Sequence, residues 1–382
     1  MEQPTQSRRI AGLDLLRASA IVLVLLAHYP KTGTGPLIRL LNFGWTGVDL
    51  FFILSGYLIA GQLFASLSSG KEISITAFYL RRLLRTLPNY YVILAAYVIL
   101  SGFTGAASPA PLWKFAAFVQ NFGIPSTFAP SWSLCVEEQF YLIFPLIVVL
   151  AARSRSSKIA ISTFAGILIL EIAIRSGIWF VTRPDLLPET EALTTYMAQL
   201  YYPTYCRLDG ITLGVGLAAL KYFRPVIWQQ LMARGNYVFA GSCVFLLASV
   251  LVLWKHYSFL CSTLGFTLLG ISFVLLTASV LSDNWLLARW QLPGVQYIAL
   301  LSYSIYLTHS LALECSSWLA ARAGISLQSP LGVGIAGILI LVFANLLYHL
   351  VERPFMTLRD RIFGTSKTRR RTEALMPAAE AQ

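Results

Sequence analysis

Apolar residues dominate this chain in long unbroken stretches from Gly12 to Val351, with short polar segments between them. Runs of roughly 18 or more mostly apolar residues recur, and each can cross a bilayer core of about 30 Å as a helix. Lipid offers no partners for backbone polar groups, so helices, which satisfy those groups internally, are the expected form. The strict apolar–polar alternation of a membrane β-barrel is absent. The pattern therefore predicts an all-α integral membrane protein, a bundle of about ten transmembrane helices. They fall near 11–29, 48–67, 87–103, 134–152, 158–181, 207–223, 236–254, 260–281, 296–320 and 330–351. The stretch 104–133 breaks the rhythm. Leu112 to Phe122 is apolar but too short to span, and Pro109, Pro111, Pro125 and Pro130 interrupt it, so a re-entrant or interfacial helix is expected there.

Composition agrees. Of 382 residues, 57% are apolar or aromatic and only 12% are charged, about half the share of a soluble domain. The net charge of +12 would point to nucleic acid in a soluble protein. Here the positive-inside bias explains it, and no nucleic-acid partner is expected. With the N-terminus inside, inner segments hold 20 Lys and Arg, outer segments hold 7, and Arg17 and Arg175 lie within spans. That count predicts ten spans with both termini cytoplasmic. The N-terminal run carries Asp14 and Arg17 and lacks a good cleavage site after His28, so it reads as a retained first span and not as a signal peptide. Cys135, Cys206, Cys243, Cys261 and Cys315 lack metal-site or redox spacing and read as small hydrophobic residues, with no metal expected. The organisation expected is a transmembrane domain over 1–361 and a basic, disordered cytoplasmic tail over 362–382.

Ionisable residues inside spans are costly and invite a functional reading. Arg17 and His28 lie eleven residues apart on the first span, three turns plus about 20°, so both face the same way. Asp14 shares their stripe, and the axial separation of Arg17 and His28 is about 16 Å. The second span enters beside His28 through Asp49, and the fourth enters through Glu137 and Glu138. A carboxylate can orient an imidazole and fix its tautomer, making His28 a candidate general base. Asp49 equally suits a cap on the N-terminal end of its own helix. Phe78 to Pro88 forms an expected cytoplasmic loop with Arg81, Arg82 and Arg85 within one turn, a grouping that suits phosphates or simply anionic lipid. Glu171 and Arg175, four apart, are expected to pair. Tyr306 and His309 share a face of the ninth span, either as a substrate-lining stripe or as a satisfied polar cluster. No P-loop, GxSxG, HExxH, dinucleotide motif or internal repeat appears.

Five blocks then resemble, in order, the acyltransferase 3 family of bacterial membrane O-acyltransferases. They are the R-x10-H pair Arg17 and His28; Gly47 to Ile59; the arginine-rich segment Phe78 to Pro88; Ser131 to Tyr141, similar to SLxVEEQFY but with Cys135 where Ser or Ala is more usual; and Arg207 to Gly210 together with Ser302 to His309. The resemblance covers residues 8 to 361. It implies transfer of an acetyl or other acyl group from cytoplasmic acyl-CoA, as co-substrate, to a hydroxyl of a carbohydrate or glycosylated small molecule. Lipopolysaccharide O-antigens, exopolysaccharides, lipo-oligosaccharide signals and macrolide sugars are known acceptor classes. The chain resembles the stand-alone type without an appended esterase-like domain, in a bacterial cytoplasmic membrane.

The resemblance assigns His28, with Asp49 and Glu137, to catalysis, and Arg17, Arg81, Arg82 and Arg85 to the donor. Asp14, Trp132, Glu138, Tyr306 and His309 are the acceptor-side candidates. Trp132 and Tyr306 would stack on sugar rings or anchor the protein at the membrane interface. His28 would either deprotonate the acceptor hydroxyl directly or become acylated first. The rival reading is a glycoconjugate transporter or flippase, whose buried charges would line a path; it makes no ester.

Overall fold

Lipid-compatible helices form wherever the apolar runs are long, and the computed structural model shows which of them pack together. It describes residues 11–33, 35–104, 111–124, 128–154, 157–282, 284 and 292–363. Among these residues the elements in chain order are α1 (Ala11–His28), α2 (Pro36–Asn42), a 3-10 turn (Phe43–Thr46), α3 (Gly47–Ser68), α4 (Ile75–Thr104), α5 (Leu112–Ala116) and α6 (Trp132–Ser154). There follow α7 (Ser157–Thr182), α8 (Glu189–Tyr196), α9 (Asp209–Phe223), α10 (Pro225–Ala233) and α11 (Gly235–Leu253). The last are α12 (Phe266–Val280), α13 (Val295–Arg322), α14 (Pro330–Leu347) and α15 (Arg353–Ile362). Among the described residues nine helical segments are long and apolar enough to cross a membrane, and the bent pair α9 and α10 makes a tenth. The protein is a multi-pass, all-α membrane protein, as the apolar pattern predicts.

Three local expectations change. The arginine-rich segment is helix and not loop: α4 begins at Ile75 and runs through Pro88 without a break. Pro88 removes one backbone hydrogen bond, but the good helix formers on both sides carry the helix across it. Between Leu112 and Phe122 only the five residues of α5 are helical, and Phe118 then takes a left-handed conformation at φ 55°. An amide network explains why this segment nevertheless has a fixed path. Gln139 of α6 donates to the Phe118 carbonyl (2.7 Å) and to Asn121 Oδ1 (3.2 Å), while Asn121 donates to Tyr202 O (3.1 Å) and Thr204 Oγ1 (2.8 Å). Finally, the sixth span is broken. At about 1.5 Å per residue, α9 is roughly 22 Å long, short of the bilayer core, and the chain turns by 108° into α10 at Arg224 and Pro225.

The chain divides into two compact units, Met1–Ile73 with Ala107–Tyr306, and Ser74–Ala106 with Leu307–Gln382. Of the expected tail over 362–382, Ile362 ends α15, and residues 364–382 lie outside the described residues. In the first unit α3 is the central helix, packed by α1, α6, α9 and α12. Glycine makes the closest of these approaches. A Cβ on Gly56 would run into the backbone carbonyl of Ile211, and one on Gly214 into that of Ile53. These reciprocal contacts let the backbones of α3 and α9 touch, the means by which membrane helices gain packing without a hydrophobic driving force. Gly44 and Gly47 seat the start of α3 on α1 in the same way, against Leu23 and Ala20. In the second unit α15 packs along α4, and Arg81 lies over the Phe363 ring at 5.0 Å.

Candidate functional site

The first unit concentrates its buried charge at the end of the bundle where α1 finishes and α3, α6 and α9 begin. Asp49, in the first turn of α3, receives Arg207 Nη2 on Oδ1 at 2.6 Å, and both side chains are buried. Arg207 lies just before α9 and is wholly inaccessible. Four rings surround its guanidinium: Phe266 at 4.1 Å, Tyr201 at 4.6 Å, Trp132 at 5.2 Å and Phe52 at 5.9 Å. Arg207 Nε and Nη1 and Asp49 Oδ2 have no hydrogen-bond partner. Ring faces therefore replace hydrogen-bond acceptors for most of the cation.

A second set of charges stakes the same loop. Arg175 of α7 donates to Asp209 Oδ2 (3.0 Å), the Cys206 carbonyl (3.2 Å) and Thr267 Oγ1 (2.7 Å). Glu171 lies 3.9 Å from Arg175, the pairing expected from their spacing, and its Oε1 accepts from the Leu208 backbone N–H at 2.7 Å. Residues 206–209 are thus held by α7 while Arg207 reaches into α3. The buried set comprises Asp49, Glu171 and Asp209 against Arg175 and Arg207, three carboxylates to two guanidiniums, one formal negative charge in excess. All five cysteines are free. Burial lifts the Cys206 thiol to about 12, so it stays protonated and is no nucleophile.

The remaining predicted residues fall into place around this core. His28 closes α1, and its Nδ1 donates to the Val24 carbonyl at 2.9 Å. A carbonyl only accepts, so the proton sits on Nδ1 and Nε2 is the basic nitrogen of the neutral ring. Among the described residues the Asp49 side chain bonds Arg207 and not this imidazole, so the expected Asp49–His28 contact is not formed. The nearness of the start of α3 to the end of α1 was readable; Arg207, 158 positions from Asp49, was not. Glu137 is half-buried and held from two sides, accepting from Ser55 of α3 (2.8 Å) and Tyr141 (2.8 Å). Glu138, one residue on, is also half-buried. Trp132 belongs to the ring set over Arg207, with Tyr201 at 4.8 Å and Tyr202 at 5.4 Å between centroids. The Tyr306 hydroxyl donates to the Pro130 carbonyl (2.9 Å) and meets Ser133 Oγ at 2.6 Å.

At the opposite end of α1, Arg17 Nη1 stands 3.6 Å from Asp14 Oδ1. Asp14 is therefore Arg17's neighbour on the stripe, about 21 Å along the helix from His28. Within the second unit, Arg81, Arg82 and Arg85 follow one another on the first turns of α4, and His309 is fully buried with Nε2 3.4 Å from Ser310 Oγ. Among the described residues no group of three or more His, Cys, Asp or Glu gathers as metal ligands.

Comparison with known proteins finds relatives along most of this chain. A Bacillus subtilis (strain 168) protein named "Putative peptidoglycan O-acetyltransferase YrhL" is 26% identical over 397 residues, covering 95% of this chain and 58% of that protein. "Peptidoglycan O-acetyltransferase OatA" of Listeria monocytogenes is 27% identical over 341 residues, covering 81% of this chain and 50% of its own length. "Putative O-acetyltransferase SACOL0978" of Staphylococcus aureus (strain COL) is 28% identical, covering 91% and 57%. The chain thus spans little more than half the length of these curated relatives. No solved structure matches it. A family model described as an acyltransferase domain matches residues 10–349, from the start of α1 to the end of α14, and on that match the chain belongs to the acyltransferase 3 family.

Proposed function

We propose that this protein is a membrane O-acyltransferase that moves an acetyl or related acyl group from acyl-CoA to a carbohydrate hydroxyl. Its acceptor is proposed to be a glycan of the peptidoglycan class, the material in the names of two relatives. The observation that carries the reading is the single helix α1, which holds Arg17 near one end and His28 at the other with its tautomer set by Val24. In the proposed reaction His28 Nε2 takes the proton of the acceptor hydroxyl as its oxygen attacks the thioester carbonyl. The C–S bond breaks, the new ester leaves on the sugar, and the coenzyme A sulfur takes up a proton. Glu137, held by Ser55 and Tyr141, is the proposed carboxylate acting with His28. Arg81, Arg82 and Arg85 are the proposed seat of the donor's phosphates, where planar guanidiniums suit bidentate contacts. Both termini are proposed to face the cytoplasm, from the distribution of Lys and Arg between loops.

The test is purified protein with acetyl-labelled acetyl-CoA and soluble peptidoglycan fragments. Wild type should form a labelled glycan ester, and His28→Ala should insert normally yet form none. Movement of the glycan across vesicles without any ester would instead favour a transporter.

A further inference from the structure

A half-open cavity of about 630 Å³ lies in the first unit, beside the rings that surround Arg207. Its size is that of a small-molecule site, about 300–1,000 Å³. One wall is a ladder of flat rings. Trp254 stacks on Phe43 at 6.0 Å and 19°, and Phe43 on Trp45 at 6.5 Å and 29°. Trp254, 44% exposed overall, is one of the lining residues. The polar lining residues are Arg39 and Asn42 of α2, Glu189 of α8, and His256.

We propose that this cavity binds the acceptor as an uncharged saccharide of one or two rings. The argument rests on the acyl-transfer reading above for the word acceptor, and on the lining for the word saccharide. The aromatic side chains offer rigid apolar area to the C–H groups of a sugar. The polar groups include donors and acceptors together, as sugar hydroxyls require. One cation and one carboxylate cancel, so a phosphate or another strongly anionic ligand finds no excess positive charge here. An acyl chain would not use the four polar groups.

The wall is also pre-organised. Tyr257 lines it at φ 63°, a left-handed conformation that a bulky residue rarely takes, and such conformations gather at sites that use them. Trp179 Nε1 donates to the Tyr257 carbonyl at 2.9 Å and pins the turn to α7. The floor joins the charged core through shared rings. Tyr201 lines the cavity and also lies 4.6 Å from the Arg207 guanidinium, and Trp45 meets both Tyr201 (5.8 Å) and Phe266 (5.9 Å) edge-on. A bound saccharide would therefore rest on Tyr201, one of the four rings around Arg207.

The test is titration of the full-length protein in detergent with N-acetylglucosamine tetrasaccharide, followed by tryptophan fluorescence and paired with the transfer assay. Wild type should show a saturable fluorescence change. Trp254→Ala should weaken binding at least tenfold and Glu189→Gln several-fold, while Trp254→Phe, which keeps a ring, should stay within threefold. Tyr237→Ala, on the exposed face of α11, should bind like wild type. In the transfer assay Trp254→Ala should raise the acceptor KM about tenfold without raising the donor KM. Equal saccharide affinity in wild type, Trp254→Ala and Glu189→Gln would overturn the proposal. So would displacement of the saccharide by phosphatidylglycerol micelles that bind with the same dependence on Trp254. Binding that behaves as described in a protein that makes no ester would leave the cavity assignment standing and remove the acyl-transfer reading instead.

Discussion

Asp49 Oδ1 and Arg207 Nη2 stand 2.6 Å apart, a contact between residues 158 positions distant that fastens the first turn of α3 to the approach of α9. Both groups are buried, so removing one leaves the other uncompensated. Loss of one partner of a buried pair typically costs about 3–5 kcal/mol. Asp49→Ala and Arg207→Ala should each lower the unfolding temperature in detergent by far more than surface substitutions do. Arg207→Lys should fall nearly as far, because a compact ammonium cannot spread under Phe266 and Tyr201 as a planar guanidinium does. An unfolding temperature unchanged in Asp49→Ala would show that the pair carries no stability.

Glu137 offers a finer test. Ser55 and Tyr141 each give its carboxylate a hydrogen bond of 2.8 Å. Deleting one such bond costs about 1 kcal/mol of stability. If they serve to aim the carboxylate, Tyr141→Phe and Ser55→Ala should each slow acyl transfer several-fold, and the double variant should approach Glu137→Gln. Wild-type turnover in the double variant would show that Glu137 needs no aiming.

The glycine contacts between α3 and α9 separate packing from propensity. Gly214→Val and Gly56→Leu would drive side chains into the opposing carbonyls of Ile53 and Ile211. Overpacking of this kind typically costs about 1–3 kcal/mol. Both variants should unfold earlier and lose activity. Gly166→Ala in α7, whose Cβ would meet nothing within 4 Å, should be neutral or slightly stabilising.

For the donor, Arg81→Ala with Arg85→Ala should raise the apparent KM for acetyl-CoA at least several-fold. Wild-type KM should also rise with salt, because phosphate contacts of this sort are screened. A double variant with unchanged KM and unchanged salt dependence would assign these arginines to topology alone.

Much of the fold was legible because the span signal is additive over about twenty residues and survives local error. Helices occur at all ten predicted positions. The errors arose where a few residues decide the local path. Arg81 to Pro88 reads as a loop because Pro88 and three charges interrupt the apolar run, yet the helix around it tolerates both. On α1 the common helix of Asp14, Arg17 and His28 was legible, because spacing along one helix fixes which residues share a face. The place of Arg207 was not legible. By topology Arg207 is a surface charge in an outer loop, and only the Arg-Leu-Asp-Gly block of the family resemblance marked it. Nothing in a single sequence shows that four rings from α3, α6, α12 and the 197–201 segment converge on it, since that information lies in tertiary contacts.

The Asp49–Arg207 contact also orders the birth of the protein. A chain emerging at about 5–20 residues per second leaves roughly 8–30 s between synthesis of α3 and synthesis of Arg207. For that interval a carboxylate-bearing helix sits in or beside the translocation machinery without its counterion, and a membrane charges for such a group. Until Arg207 has been made, Asp49 lacks the partner that offsets its burial, so the first turn of α3 reaches its final setting only after the approach to α9 is in place.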